Sequence, residues 1–263
     1  MKRINLLFMF VVLSLVGIVY NEFKRKYLDN DDNNHYKLVK KYLLNDTDML
    51  LNKLPDSKLP IIWIHSKYEV NARNWSEFYS RNSTDLNQPY KELTIKSIID
   101  KCGKDFNICL ISDHSFSELI PNWNIDINKT ADPIKQNIRE LALARLLDVY
   151  GGMLLPDSFV CLDSLKYIYE TGVSNQAMFV GELLGTTNIN TPECKMKERV
   201  EYYPSTKLMG CEKDCESMKC YINMLETVIS QDSTAESIFT GEIQRWLNEK
   251  VKQKRINIIT SEY

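Results

Sequence analysis

The stretch "DPIKQNIRELALARLLDVYGGMLLPDS" (132–158) decides the fold. Asp132 can cap a helix and Pro133 suits its first turn. Ile134, Ile138, Leu141, Ala142 and Val149 then recur as one apolar stripe. Gly151 ends the helix, and with Gly152 it forms a tight turn that lets a strand, "MLLP" (153–156), begin against the helix end. A helix that runs straight into a short buried strand is half of a parallel crossover unit, so its partner strands are sought on either side.

Working outward, "PIIWIH" (60–65) is a first strand, β-branched and aromatic and opened by a proline. Trp63 is read as core. "QPYKELTIKSIIDKCG" (88–103) places Leu93, Ile95, Ile98 and Ile99 at helical spacing before a terminating Gly103. "FNICLISD" (106–113) is a second buried strand that ends in an aspartate, followed by a helical "SFSELI". Downstream, "AMFVGEL" (177–183) and "TKLMGCE" (206–212) read as strands. "MKCYINMLETVIS" and "AESIFTGEIQRWLNEKV" read as amphipathic helices, and "INIIT" as a last strand. This alternation predicts an α/β domain over 60–263, built on a mainly parallel sheet flanked by helices.

The bulk numbers narrow the function classes. The chain has 263 residues, 44% apolar and 26% charged, which suits a folded domain and not an extensively disordered one. A net charge of −2, with no basic stripe interleaved with aromatics, excludes a nucleic-acid binder. Residues 4–20, "INLLFMFVVLSLVGIVY", carry no formal charge and reach the short end of what spans ~30 Å of hydrocarbon. Lys2 and Arg3 ahead of an apolar core also fit a cleaved signal, but no A-x-A-like site follows. The expectation is a single-pass membrane anchor over 1–27. Its orientation is undetermined, because Lys24, Arg25 and Lys26 balance the basic residues in front. A polar stalk with a weak helix is expected over 28–59.

N-x-S/T sequons at Asn45, Asn74, Asn82 and Asn128 are no more than chance gives in so Asn-rich a chain. Of the seven cysteines, Cys194, Cys211, Cys215 and Cys220 admit disulfides, free buried thiols or a four-thiolate zinc site. The spacings depart from the tight C-x2-C knuckle.

The order of parts, from "PIIWIH" through a strand ending in Asp113 to a helix running into "YGGMLL", resembles the nucleotide-sugar glycosyltransferases with a sugar-binding DxD motif. These are the capsular-polysaccharide and family 32 type enzymes and their membrane-anchored relatives in large DNA viruses and algae. The similarity covers 60–165 and extends toward 248. It implies a GT-A-type, Rossmann-like fold with the donor at the carboxyl ends of the strands. In that family S-D-x-x-R on the helix leads to Y-G-G-x-Y-x-D-x-D, whose last two carboxylates hold a divalent metal on the donor diphosphate. Here those carboxylates fall on Pro156 and Ser158, neither of which suits Mg²⁺ or Mn²⁺. Asp157 lies between them, and on an extended segment it points to the other face unless a bulge re-aims it. A metal is therefore expected only in that re-aimed case. On the helix Glu140 keeps a carboxylate, while Leu143 stands where the family has arginine.

The resemblance implies a membrane-anchored protein that binds a nucleoside-diphosphate sugar and passes the sugar to a glycan or protein acceptor. The alternative is an inactive member of that fold that serves as a structural or binding module. Donor-site candidates are His65, Asp113, Arg139, Glu140, Gly151, Gly152, Asp157 and Ser158, with Asp157 and Glu140 the candidates for chemistry. Each has a structural reading beside it. His65 is then a hydrogen-bonded core histidine, Asp113 a strand-end cap, Arg139 a solvated helix residue, and the glycines a turn. Arg145, inside the apolar stripe, is read as paired with Asp148 or another acid.

Overall fold

The computed structural model describes residues 39, 41–44, 58–66, 88–182, 203–231 and 235–260. The expected anchor, most of the stalk, Cys194 and the sequons at 45, 74 and 82 lie outside them. Among the described residues no helix is long and apolar enough to cross a membrane.

In chain order the described residues form β1 (Ile61–His65), α1 (Gln88–Cys102), β2 (Asn107–Ile111) and the short α2 (Ser115–Leu119). Next come α3 (Ile134–Tyr150), β3 (Gly152–Pro156), α4 (Lys166–Gly172) and β4 (Phe179–Glu182), followed by β5 (Pro204–Cys211), α5 (Glu216–Ser230), α6 (Glu236–Lys252) and β6 (Asn257–Ile259). These strands make one six-stranded sheet in the order β2-β1-β3-β5-β4-β6. β1 pairs in parallel with β2 and β3, and β4 in parallel with β6. β5 runs antiparallel to both its neighbours, β3 and β4. The sheet is thus mixed, with five strands in one direction and one reversed. α4 leads β3 to β4, and the later β5 then fills the gap between them, leaving β3 and β4 codirectional.

The sheet's two faces are sorted by the two-residue period of its strands. Ile62, Ile64, Ile108, Met153 and Leu155 face α1 and form one buried apolar cluster with its Ile98 and Cys102 and with Phe106. Trp63 lies on the other face, fully buried as expected. Its indole Nε1 donates to the Gly151 carbonyl at 3.0 Å, and its ring leans on Tyr150 at the end of α3. α3 itself packs on α5.

Several local expectations are corrected. Asp132 does not cap α3: the helix begins at Ile134 with Pro133 in the cap position and no side-chain cap bond. The short helix α4, which the sequence reading did not anticipate, packs Ile168 and Tyr169 on the core and leaves Tyr167 exposed. Residues 42–44, placed by their sequence in a weakly helical stalk, add to the sheet's outer edge instead. Leu44 N–H donates to the Ile108 carbonyl and Leu110 N–H to the Tyr42 carbonyl. That covers the exposed edge of β2, a common protection for an edge strand.

Candidate functional site

β1 is the strand at which the order of the parallel part reverses, with β2 on one side and β3 on the other. In open α/β sheets the crevice beyond the carboxyl ends at such a reversal is the usual ligand site. Two clusters of charged side chains sit there, one on each face of the sheet.

On the α2/α3 face, His65 ends β1, Asp113 follows β2, and Arg139 arrives from α3. The Asp113 carboxylate accepts from His65 Nε2 at 2.9 Å and from Arg139 Nε at 3.0 and 3.1 Å, and Arg139 Nη2 donates at 2.7 Å. Arg139 is 4% exposed. The solvated-helix reading of this arginine therefore fails. Arg139 lies ~40° around α3 from the buried Leu143, so the two share a face of the helix. Burial alone would raise the Asp113 carboxyl, but the hydrogen bonds from His65 and Arg139 outweigh it and hold the group well below the usual carboxylate range. His65 also stacks on Phe116, 5.3 Å between ring centres. With Asp113 ionised, Nε2 is the nitrogen that carries the proton, and Nδ1 is left as the acceptor in neutral imidazole.

On the α1 face, Lys91 in the first turn of α1 bridges two strand ends. Its Nζ donates to Ser66 Oγ, just past β1, at 3.1 Å and pairs with Asp157 Oδ2, just past β3, at 2.9 Å. Its side chain is 22% exposed and that of Asp157 27%. The β3 end is fastened to α1 by backbone acceptors as well: Thr94 Oγ1 donates to the Asp157 carbonyl at 2.6 Å, and Tyr90 OH to the Ser158 carbonyl at 3.4 Å. A turn closed by Phe159 N–H on the Pro156 carbonyl shapes the segment.

The register of β1 against β3 runs unbroken to His65 opposite Pro156, so no bulge re-aims Asp157. Its carboxylate continues the Met153–Leu155 side and meets lysine. The donor set does not fit a divalent cation: Pro156 offers no ligand atom, and the turn's one carboxylate already faces an ammonium. Among the described residues no group of three His, Cys, Asp or Glu side chains converges as a metal site.

The remaining candidates lie elsewhere. Glu140, one residue on from Arg139 and so ~100° around the helix, faces α5 and β5, where Tyr221 OH donates to Oε1 at 2.9 Å. Burial pushes its carboxyl up, against hydrogen bonds from Thr206 and Tyr221. Gly151 and Gly152 sit at the opposite, amino end of β3. Both hold positive φ, 71° and 97°, and a Cβ on Gly152 would lie 2.1 Å from the Ile61 carbonyl oxygen. That is a packing role. Ser158 is an exposed turn residue. Arg145 pairs with Glu226 and lies over the Trp123 ring at 5.8 Å, so its partner is an acid other than Asp148.

Of the cysteines, Cys211 and Cys215 are buried and Cys220 is exposed. Cys215 at the start of α5 is lowered to about 5, first by a hydrogen bond from Cys211, then by Ser217 and the helix N–H groups.

Lys91 and Ser66 were not singled out by sequence. The available signal was positional: the first turn of a helix that follows a parallel strand starts on the side of that strand's carboxyl end, so a lysine there borders the crevice. No family model matches the chain, and no curated protein matches it.

Proposed function

We propose that this chain is a glycosyltransferase-like protein, held to a bilayer by residues 4–20, that binds a nucleoside-diphosphate sugar beyond the carboxyl ends of β1, β2 and β3. It would pass the sugar to a glycan or protein hydroxyl. One observation carries the reading: charged side chains from three separate strand ends and two helices, His65, Asp113, Arg139, Asp157 and Lys91, gather where the parallel strand order reverses. The mixed sheet with five codirectional strands is compatible with the GT-A-type architecture that the sequence resembles.

A second reading has its own support. Arg139 is engaged by Asp113, and Asp157 by Lys91, so the charges balance in pairs. That suits a module that binds without turnover. Incubating the purified protein with a panel of uridine, guanosine and deoxythymidine diphosphate sugars, with Mn²⁺ and with EDTA, separates the two. Release of nucleoside diphosphate supports the transferase. Binding by calorimetry without release supports the module. Neither binding nor release refutes both.

A further inference from the structure

We propose that Lys91, on the α1 face of the sheet, is the cation that receives the diphosphate of the donor, and that Asp157 is its counter-ion and not a metal ligand. This rests on the nucleotide-sugar reading above. The geometry is specific. The ammonium has three N–H donors. Two go to Ser66 Oγ and Asp157 Oδ2, and the third has no partner among the described residues. The position is partly sheltered, which strengthens a charge interaction relative to open water, yet it is open enough for a ligand to reach. It stands between the carboxyl ends of β1 and β3, adjacent strands at the reversal of the sheet order. Thr94 and Tyr90 fix the Asp157–Ser158 backbone to the same helix turn that carries the lysine, so the ammonium is held over the β3 end by more than its own side chain.

The two assignments predict opposite signs for one substitution. If Asp157 gripped a metal, Asp157→Asn would weaken diphosphate binding. If Asp157 is a counter-ion that competes with phosphate for Lys91, Asp157→Asn tightens it. The probes are UDP and GDP, titrated by calorimetry into the full chain in detergent, in EDTA and again with Mn²⁺. The wild type is expected to bind one of them equally well in both buffers. Lys91→Met is expected to weaken that binding about tenfold, the loss of one charge-assisted contact, with Lys91→Arg restoring part of it. Asp157→Asn is expected to tighten it several-fold.

Mn²⁺-dependent wild-type binding, weaker binding by Asp157→Asn, or an unchanged Lys91→Met overturns the inference and leaves the nucleotide-sugar reading standing. A wild type that binds neither nucleotide in either buffer removes that reading and this inference with it. Asp157→Asn alters only a partly exposed carboxylate, so it decides the matter even if Lys91→Met fails to fold.

Discussion

Replacing Asp113 by asparagine tests whether the cluster at the ends of β1 and β2 is as desolvated as its geometry says. Asparagine keeps the shape but removes the charge and turns an amide NH₂ toward the guanidinium or the imidazole, both of which donate. Arg139 would keep its positive charge at 4% exposure without a carboxylate. Breaking one side of a buried ion pair costs about 3–5 kcal/mol, and the 15% exposure of the Asp113 side chain puts this case at the lower end, about 3 kcal/mol. For a domain of this size that lowers Tm by roughly 6–12 °C. Urea and thermal unfolding by circular dichroism read it.

Arg139→Leu alone should also destabilise, by leaving Asp113 unpaired. The double variant Asp113→Asn/Arg139→Leu should lose about 2 kcal/mol less than the sum of the singles. The pH sign is fixed by the depressed carboxyl. Its contribution is fully present above the unfolded value of about 3.9 and is lost as pH falls below that toward the folded value. Wild-type stability should therefore decline below about pH 4, and Asp113→Asn should lack that component. A shift under about 0.5 kcal/mol with no coupling in the cycle would refute the buried-pair reasoning.

Three other perturbations have clear signs. Glu140→Gln keeps an acceptor for Tyr221 and removes a buried charge. Its carboxyl is raised in the fold, so the variant should be more stable than wild type at pH 8 and gain nothing near pH 4, by urea midpoint. Gly152→Ala combines positive φ with a Cβ 2.1 Å from the Ile61 carbonyl oxygen, and it should cost about 3 kcal/mol or more or prevent folding, by the same unfolding assays. Cys102 and Cys161 place their sulfurs 3.5 Å apart in the core. Diamide, which takes up the two electrons and two protons as it becomes a hydrazide, should join them and stabilise the protein by about 2–4 kcal/mol, an effect absent in Cys102→Ala.

The fold was legible because its strands are short apolar runs set between glycines and prolines, and its helices carry terminators. β1, β2, β3 and α3 fall within two residues of where the pattern places them. The reversal of β5 was not legible, since nothing local in "TKLMGCE" encodes which gap the strand fills or in which direction it runs. The pairing of residues 42–44 with β2 was missed for a related reason. A lone bridge of three residues has no period, and its basic, leucine-rich flank reads as helix.

At the site, strand alternation put Asp157 on the face away from Pro156 and Ser158, and its side chain lies so, whereas Arg139, for which the sequence left a solvated position open, proves buried. What periodicity could not supply was their partners. Arg139 and Asp113 are 26 residues apart. Lys91 is farther from Asp157, and only the three-dimensional sheet order brings them together.

On the proposed nucleotide-sugar reading, the altered carboxylate motif and the Lys91 contact belong to one physical arrangement. A DxD pair concentrates negative charge at the end of a strand, and such a cluster needs a divalent cation beside it to hold a diphosphate. Here one carboxylate remains, on the opposite face, and one monovalent cation faces it. On that reading a side-chain ammonium, reaching the diphosphate from the α1 face, removes the need for a second and third ligand, so Pro156 and Ser158 carry no electrostatic penalty. It also trades strength for permanence: a lysine bound by one carboxylate and one hydroxyl is always in place, but a single charge polarises a diphosphate less than a divalent ion does. Any turnover at this site should therefore be slow, insensitive to chelators and most sensitive to Lys91, whereas a retained metal mechanism would be abolished by EDTA and indifferent to that lysine.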